Sequence, residues 1–189
     1  MARAFWRTLG LFGMAAAGLL RAEAATPTAA AAEADRLLQQ LQTAGDEGAA
    51  AFLEQRIRIV WTSLESPAAR LLHGRGQRDL NGLALGNAVE DFNAALTLDP
   101  TSGQLYVGRA TAKAMTGAYA AAVQDIATAL AREPRNFDAW AALSRIAETH
   151  GDAAGALAAW NKLLAIDPQA PGSRQRLQTL RRKVEGQPT

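Results

Sequence analysis

A fixed 34-residue step between prolines is the strongest constraint that this 189-residue sequence places on its fold. The step joins Pro100, Pro134 and Pro168, each of which follows an acidic residue. The same step relates three sets of small or apolar positions: Ala88, Ala122 and Ala156; Phe92, Ile126 and Trp160; Leu96, Leu130 and Leu164. A period of this length is typical of helix-turn-helix units that stack into a solenoid, because one unit cannot bury its apolar face alone. The sequence therefore predicts an all-α repeat architecture.

Composition supports helices and excludes several kinds of site. Apolar residues make up 49% of the chain, but alanine dominates them and aromatic residues are only 6%, which favours closely packed helices over strands. The chain has no cysteine, and this excludes disulfides, thiol nucleophiles and cysteine-ligated metals. Its two histidines, His73 and His150, are too far apart in sequence to form a local metal-binding pair. We therefore expect neither a metal nor a cofactor.

Residues 1–24 resemble a secretory signal peptide. Arg3 and Arg7 precede an uncharged apolar stretch over residues 9–20, which is shorter than the roughly 20 residues of a membrane span. Ala22 and Ala24 supply a small-x-small cleavage pattern. The sequence predicts cleavage after Ala24 and, in a bacterium, a periplasmic protein with no membrane span after cleavage. A retained leader acting as an anchor and an amphipathic soluble helix are the alternatives.

Cleavage would leave a chain without net charge. The leader contains three arginines and one glutamate, so 17 basic and 17 acidic residues remain. This balance argues against general nucleic-acid binding, which needs clustered basic charge. One basic cluster lies within residues 174–185. We interpret it as complementing the dipole of a terminal helix, with a binding patch as the alternative.

The mature chain divides into a series of helical units. Residues 25–33 are a spacer whose later part could already be helical, and residues 34–66 form a helical hairpin that we interpret as an N-terminal cap. Three repeats follow at 69–102, 103–136 and 137–170, and residues 171–186 form a C-terminal capping helix. Within the hairpin, an apolar stripe is expected from Leu53, Ile57, Val60 and Leu64, widened by Phe52, Ile59 and Trp61.

The three repeats resemble tetratricopeptide repeats, a family of paired helices that usually bind proteins. The middle unit carries the resemblance best: Tyr106 and Ala110 on its first helix, Gly117 at the turn, Tyr119 on its second helix, and Pro134 at its end. The last unit is similar, with Trp140, Gly151, Ala156, Trp160 and Pro168.

The first unit departs from the pattern at its turn. It has Leu83 where the turn glycine is expected and Asp79 where an aromatic residue is common. We expect Gly82 and Gly86 to shift that turn.

The resemblance implies a right-handed α-α superhelix whose first helices line an inner groove for an extended or helical peptide. Helical phase selects nine groove candidates: Arg70, His73, Gln77, Val107, Thr111, Met115, Asp138, Arg145 and Glu148. This lining lacks the lysines and asparagines with which some relatives clamp a C-terminal carboxylate. That activity is therefore not transferred.

Two further residue pairs share the repeat step. Arg75 and Arg109 occupy equivalent places in successive units, and Asp91 and Asp125 do likewise one helix later. We expect such pairs to make structural contacts, worth only about 0–1 kcal/mol if they are exposed.

The function predicted is that of an adaptor or scaffold, not an enzyme. The sequence has no glycine-rich phosphate loop, no Gly-x-Ser-x-Gly elbow and no His-Glu-x-x-His motif. We expect a periplasmic protein whose groove binds a protein or peptide, with an envelope assembly as the setting. The alternative is a self-assembling structural module, a homo-oligomer in which the basic last helix contacts the acidic remainder of another copy.

Overall fold

The computed structural model describes residues 28–186, which form nine α-helices and no strand. The leader and residues 25–27 lie outside this range. The helices are α1 (Ala29–Gln42), α2 (Glu47–Ser63), α3 (Pro67–Asn81), α4 (Leu85–Leu98), α5 (Gly103–Met115), α6 (Tyr119–Arg132), α7 (Phe137–Thr149), α8 (Ala153–Ile166) and α9 (Ser173–Val184). The predicted all-α fold is confirmed. α1 begins within the predicted spacer, because Thr28 caps it by accepting a hydrogen bond from the Ala31 N–H at 3.2 Å.

Three helical hairpins, α3–α4, α5–α6 and α7–α8, form the repeats. Ala88, Ala122 and Ala156 are fully buried at equivalent places in the second helices. Their small side chains let the two helices of a hairpin approach closely. Phe92, Ile126 and Trp160, one turn later, are also buried and fill the space between helices.

Phe92 shows how tightly the first two repeats pack. Its ring lies between Gly76 of α3 and Gly108 of α5. A Cβ at Gly108 would stand 2.5 Å from the ring, which is closer than van der Waals contact allows. The absence of a side chain at Gly108 is therefore what admits the aromatic ring.

The acidic residue before each proline closes the turn between repeats. Asp99 accepts a hydrogen bond from the Thr101 N–H at 3.1 Å, Glu133 from Arg135 at 2.9 Å, and Asp167 from Gln169 at 3.1 Å. The carboxylate thereby satisfies the backbone N–H of the turn residue two positions later. This contact explains why an acid recurs with the proline.

The turn inside each hairpin also repeats, and here one expectation was wrong. Gly117 and Gly151 have φ of 83° and 80°, and Leu83 adopts the same left-handed conformation with φ of 60°. In all three turns the next residue donates a backbone hydrogen bond to the carbonyl five residues earlier, at 2.8–2.9 Å. Gly82 and Gly86 therefore do not shift the turn. The hydrogen bonds at the end of α3 hold Leu83 in the left-handed conformation that glycine adopts in the other two turns.

The N-terminal hairpin takes a place that the sequence did not predict. As an N-terminal cap it would stack on the first repeat, but its buried residues Leu38, Leu41 and Ile57 belong to one core cluster with Phe137 and Trp160 of the third repeat. Of the predicted stripe, Leu53, Ile57, Val60 and Trp61 pack in this cluster, whereas Phe52, Ile59 and Leu64 are exposed, so that part of the prediction was wrong. The stripe also does not specify which partner covers the buried residues.

Contacts along α2 run in the reverse order of the repeats. At the middle of α2, Glu54 interacts with Asp167, which follows α8. Near the end of α2, Trp61 packs on Phe137 at the start of α7, with ring centroids 5.3 Å apart. Just after its end, Glu65 accepts a hydrogen bond from Ser102, the N-cap of α5, at 2.7 Å. α2 therefore crosses the N-terminal ends of the first helices of the repeats.

The third repeat is also covered by α9. Leu180 is fully buried in the cluster around Trp160, and Leu177 packs against it. The basic residues of α9 lie toward solvent, apart from Arg176 and Lys183, which bind Glu148.

Candidate functional site

A cavity of about 380 Å³ opens on the inner surface formed by α3, α5 and α7. Six of the nine predicted groove residues line it: His73, Gln77, Val107, Thr111, Asp138 and Arg145. Helical phase therefore brought residues from all three first helices to one surface. Arg58 and Thr62 of α2 form an additional wall, which the sequence reasoning missed.

A second cavity, of about 390 Å³, continues from the first between α5, α6 and α7. It shares Thr111 and Arg145 with the first cavity and adds an apolar lining that includes Met115, Tyr119 and Ile146. We call the two cavities together the groove. Met115 is half-exposed here, so a seventh predicted residue lies in the groove.

The two remaining predicted residues, Arg70 and Glu148, do not line either cavity. Arg70 lies exposed on α3. Glu148 accepts a hydrogen bond from Lys183 of α9 at 2.7 Å and pairs with Arg176. Burial alone would raise the pKa of Glu148, but the hydrogen bonds from Lys183 and Arg176 outweigh it and lower the pKa. Glu148 thus holds α9 in place.

Arg58 of α2 occupies one side of the groove and engages its main acid. The guanidinium donates to both carboxylate oxygens of Asp138, with Nε–Oδ2 at 3.0 Å and Nη2–Oδ1 at 2.8 Å, and also to Glu54 at 2.8 Å. Burial would lower the pKa of Arg58, but the two carboxylates raise it. Asp138 is therefore already neutralised within the chain. Gln104 also donates to it, at 3.3 Å.

His73 is held by a buried carboxylate. The Glu65 side chain is fully buried, and its Oε1 lies 2.9 Å from His73 Nδ1. Ser102 bonds to the same Oε1 and not to the imidazole, so His73 is not placed to activate the hydroxyl. The cluster positions the histidine and joins α2 to α5.

Arg145 differs from the other cationic side chains of the groove. Within residues 28–186 it has neither an ion pair nor a side-chain hydrogen bond with another side chain, although it lines both cavities. It is exposed at the groove surface, yet the surrounding walls remove enough water to lower its pKa. Asp138 acts in the opposite direction, and Arg176 lowers the pKa further.

The pairs that share the repeat step lie away from the groove and link the two helices of a hairpin. Arg75 binds both oxygens of Asp91, and Arg109 binds those of Asp125 at 2.9 and 2.6 Å. Lys113 adds a third contact to Asp125, at 2.8 Å. The structural contacts predicted from sequence are present, but both aspartates are buried, contrary to the exposed pairs considered above.

Two kinds of feature are absent from the described residues. None of the helices in this range has the length and hydropathy that crossing a bilayer requires. No group of three histidine, aspartate or glutamate side chains in the same range is arranged to hold a metal ion.

Comparison with known proteins agrees with this architecture. The chain matches no protein-family model. It is similar to a TPR repeat-containing protein of Rhizobium etli, with 26% identity over 155 residues, 82% of this chain and 76% of that protein. The Sgt2 TPR domain from Aspergillus fumigatus has a TM-score of 0.60 at 23% identity, covering 66% of this chain and 87% of that domain.

A third similar structure is the first TPR domain of Spaghetti, bound to an HSP90 peptide. Its TM-score is 0.59 at 17% identity, covering 64% of this chain and 96% of that domain. The fold is thus a helical repeat solenoid. More narrowly, it is the fold of the tetratricopeptide-repeat domains to which the chain is similar.

Proposed function

We propose that this protein is a non-enzymatic scaffold whose groove binds a peptide segment of a partner protein. The observation that carries the proposal is the pair of adjoining cavities on the surface of the first helices, which share Thr111 and Arg145. An extended groove with apolar walls and a few polar groups suits a peptide chain. The Spaghetti domain, with the same fold, is bound to a peptide.

The test is a selection from a phage-displayed library of random short peptides, with the full chain as bait. Thr111→Trp should block the groove and abolish binding of the selected peptides. Thr97→Trp is the matched control, because Thr97 is exposed on α4 and lines neither cavity. Circular dichroism should give both variants the helix content of the parent. Peptides that bind Thr111→Trp as well as they bind the parent would refute the proposal.

We further propose that the scaffold works in the bacterial periplasm, as part of an envelope assembly. The support is the leader over residues 1–24, with its arginines, its short apolar stretch and its small-x-small pattern. Mass spectrometry of the protein purified from cells should give a mature N-terminus at Ala25. A mature chain that retains Arg3 would indicate an anchored form instead.

Self-assembly is the second candidate, and the surface of α9 favours it. Arg174, Arg181 and Arg182 are exposed there and have no ion pair among the described residues. If they contact the acidic remainder of another copy, light scattering should show an oligomer at low ionic strength that dissociates at high ionic strength. A monomer at both ionic strengths would exclude this candidate.

A further inference from the structure

Arg145 is the cation of the groove that has no ion pair with any residue of the part of the chain that the structure describes. Asp138, seven residues before it on α7, is engaged by both nitrogens of the Arg58 fork, and Glu148, three residues after it, is bound by Lys183. Arg176, its basic neighbour, is taken up by Glu148. Among the ion pairs formed within residues 28–186, none includes Arg145.

The surroundings of Arg145 increase what a carboxylate would gain there. The groove walls partly desolvate the guanidinium, as the lowered pKa of Arg145 shows. An unpaired, partly desolvated cation is unfavourable, and a carboxylate that reaches it recovers the missing interaction with two charge-assisted hydrogen bonds. A neutral ligand cannot do this.

An apolar space adjoins Arg145. Met115, Tyr119 and Ile146 contribute to the second cavity, whose volume of about 390 Å³ is enough for a bulky side chain. Arg145 therefore lies at the edge of a cavity that can hold an apolar side chain.

We propose that the groove binds a peptide segment in which an aspartate or glutamate side chain pairs with Arg145 and a neighbouring bulky apolar side chain enters the cavity beside Met115 and Tyr119. The inference rests on the proposed function. Cavities extend on both sides of Arg145, toward His73 and toward Thr149, so a chain can pass it in both directions. The carboxylate is therefore that of a side chain within the segment, not that of a chain end.

The first test selects peptides with the full chain as bait and compares their composition. The library displays each peptide with both of its ends joined to the carrier protein, so that no peptide has a free C-terminal carboxylate. Among the selected peptides, those that do not bind the Thr111→Trp variant should be enriched in an acidic residue next to an apolar one. Selection with Arg145→Gln should lose the acidic enrichment. Arg70→Gln should keep it, because Arg70 is an exposed arginine on a first helix that lines neither cavity.

The second test is a double-mutant cycle between Arg145 and the acidic residue of one selected peptide. In the peptide variant, asparagine or glutamine replaces the aspartate or glutamate. Fluorescence anisotropy should show about tenfold weaker binding of the amide variant to the parent protein, as expected for loss of one charge-assisted contact. Arg145→Gln should bind both peptides equally weakly. Arg145→Lys, which keeps the charge but loses the fork, should restore part of the preference.

The outcomes separate the two proposals. If no peptide depends on Thr111, the proposed function fails. If peptides depend on Thr111 but show no acidic enrichment, or if the preference for acid survives in Arg145→Gln, the function stands and this inference is wrong. Peptides that bind only with a free C-terminal carboxylate would also overturn it.

Discussion

The guanidinium of Arg58 and the carboxylate of Asp138, 80 residues apart in sequence, form a two-pronged ion pair with contacts at 3.0 and 2.8 Å. Arg58 also lies over the Phe137 ring, 4.9 Å from its centroid. The pair fixes α2 across the start of α7 and at the same time neutralises the main acid of the groove. α2 therefore forms part of the groove wall that a bound peptide would contact.

Removing the Arg58 side chain should weaken this attachment. Arg58→Ala leaves Asp138 with only the longer bond from Gln104, and it also removes the packing on Phe137. Because the pair is partly exposed, we expect a loss of about 1 kcal/mol in the free energy of unfolding. Urea denaturation measures it. Arg56→Ala, which removes an exposed contact to Glu33, should stay within about 0.5 kcal/mol of the parent; equal losses in the two variants would contradict the assignment.

Filling the space at Gly108 should destabilise the first two repeats. A methyl group there would overlap the Phe92 ring, and the buried ring has no room to withdraw. We expect Gly108→Ala to lose roughly 1–3 kcal/mol, as overpacked cores do. Thermal unfolding followed by circular dichroism measures the effect.

Gly74→Ala provides the matched control for that experiment. Gly74 is also in a first helix, but a Cβ there meets only the end of the Arg78 side chain at 3.7 Å. Alanine at this position should stabilise the helix by about 0.5–1 kcal/mol. A loss of stability in both variants would mean that close approach is not the reason for Gly108.

Local pattern predicts the repeats well, because each repeat is defined by contacts close in sequence. The buried alanines at 88, 122 and 156 and the acid-capped turns follow from the 34-residue step. The place of α2 does not follow from it, since the contact between Trp61 and Phe137 joins distant segments. An apolar stripe fixes which side of a helix is buried and leaves the partner open.

The same distinction applies to the groove. Helical phase placed His73, Thr111 and Arg145 on one inner surface, since phase is a local property. It also selected Glu148, whose carboxylate is taken by Arg176 and Lys183 from α9. Sequence phase does not indicate that a later helix will cover a residue.

Leu83 offers a test of backbone strain. It is an exposed leucine in the left-handed conformation that glycine adopts in the equivalent turns. Leu83→Gly should relieve a strain of roughly 1–2 kcal/mol, partly offset by the greater freedom of glycine in the unfolded chain, for a net gain of up to about 1 kcal/mol. Leu83→Ala removes the same exposed side chain without relieving the strain. If alanine stabilises the protein as much as glycine does, strain is not the cause.

Asp167, which is fully buried, and Glu54, which is partly buried, form an acid pair where α2 meets the end of α8. No N–H or O–H group in the described part of the chain donates to Asp167 Oδ2. Burial, together with the hydrogen bond and the charge of Glu54, raises the pKa of Asp167 from 3.8 to about 7. A proton shared between the two carboxyl groups satisfies the otherwise unpaired oxygen.

This pair should make stability fall as the pH rises. The folded protein retains the proton between about pH 4 and pH 7, whereas the unfolded chain releases it, so the free energy of unfolding decreases across that window and stays low above it. Asp167→Asn keeps the acceptor for the Gln169 N–H and donates permanently to Glu54. We expect it to match the parent near pH 4 and to exceed it by on the order of 1–2 kcal/mol near pH 8 in urea denaturation. Asp99→Asn should show the opposite pH dependence. Burial alone would raise the pKa of Asp99, but hydrogen bonds from Thr101 outweigh burial and lower that pKa. The stability that the Asp99 carboxylate contributes is therefore present at neutral pH and lost in acid. A constant difference between Asp167→Asn and the parent over the whole range would show that no proton is shared.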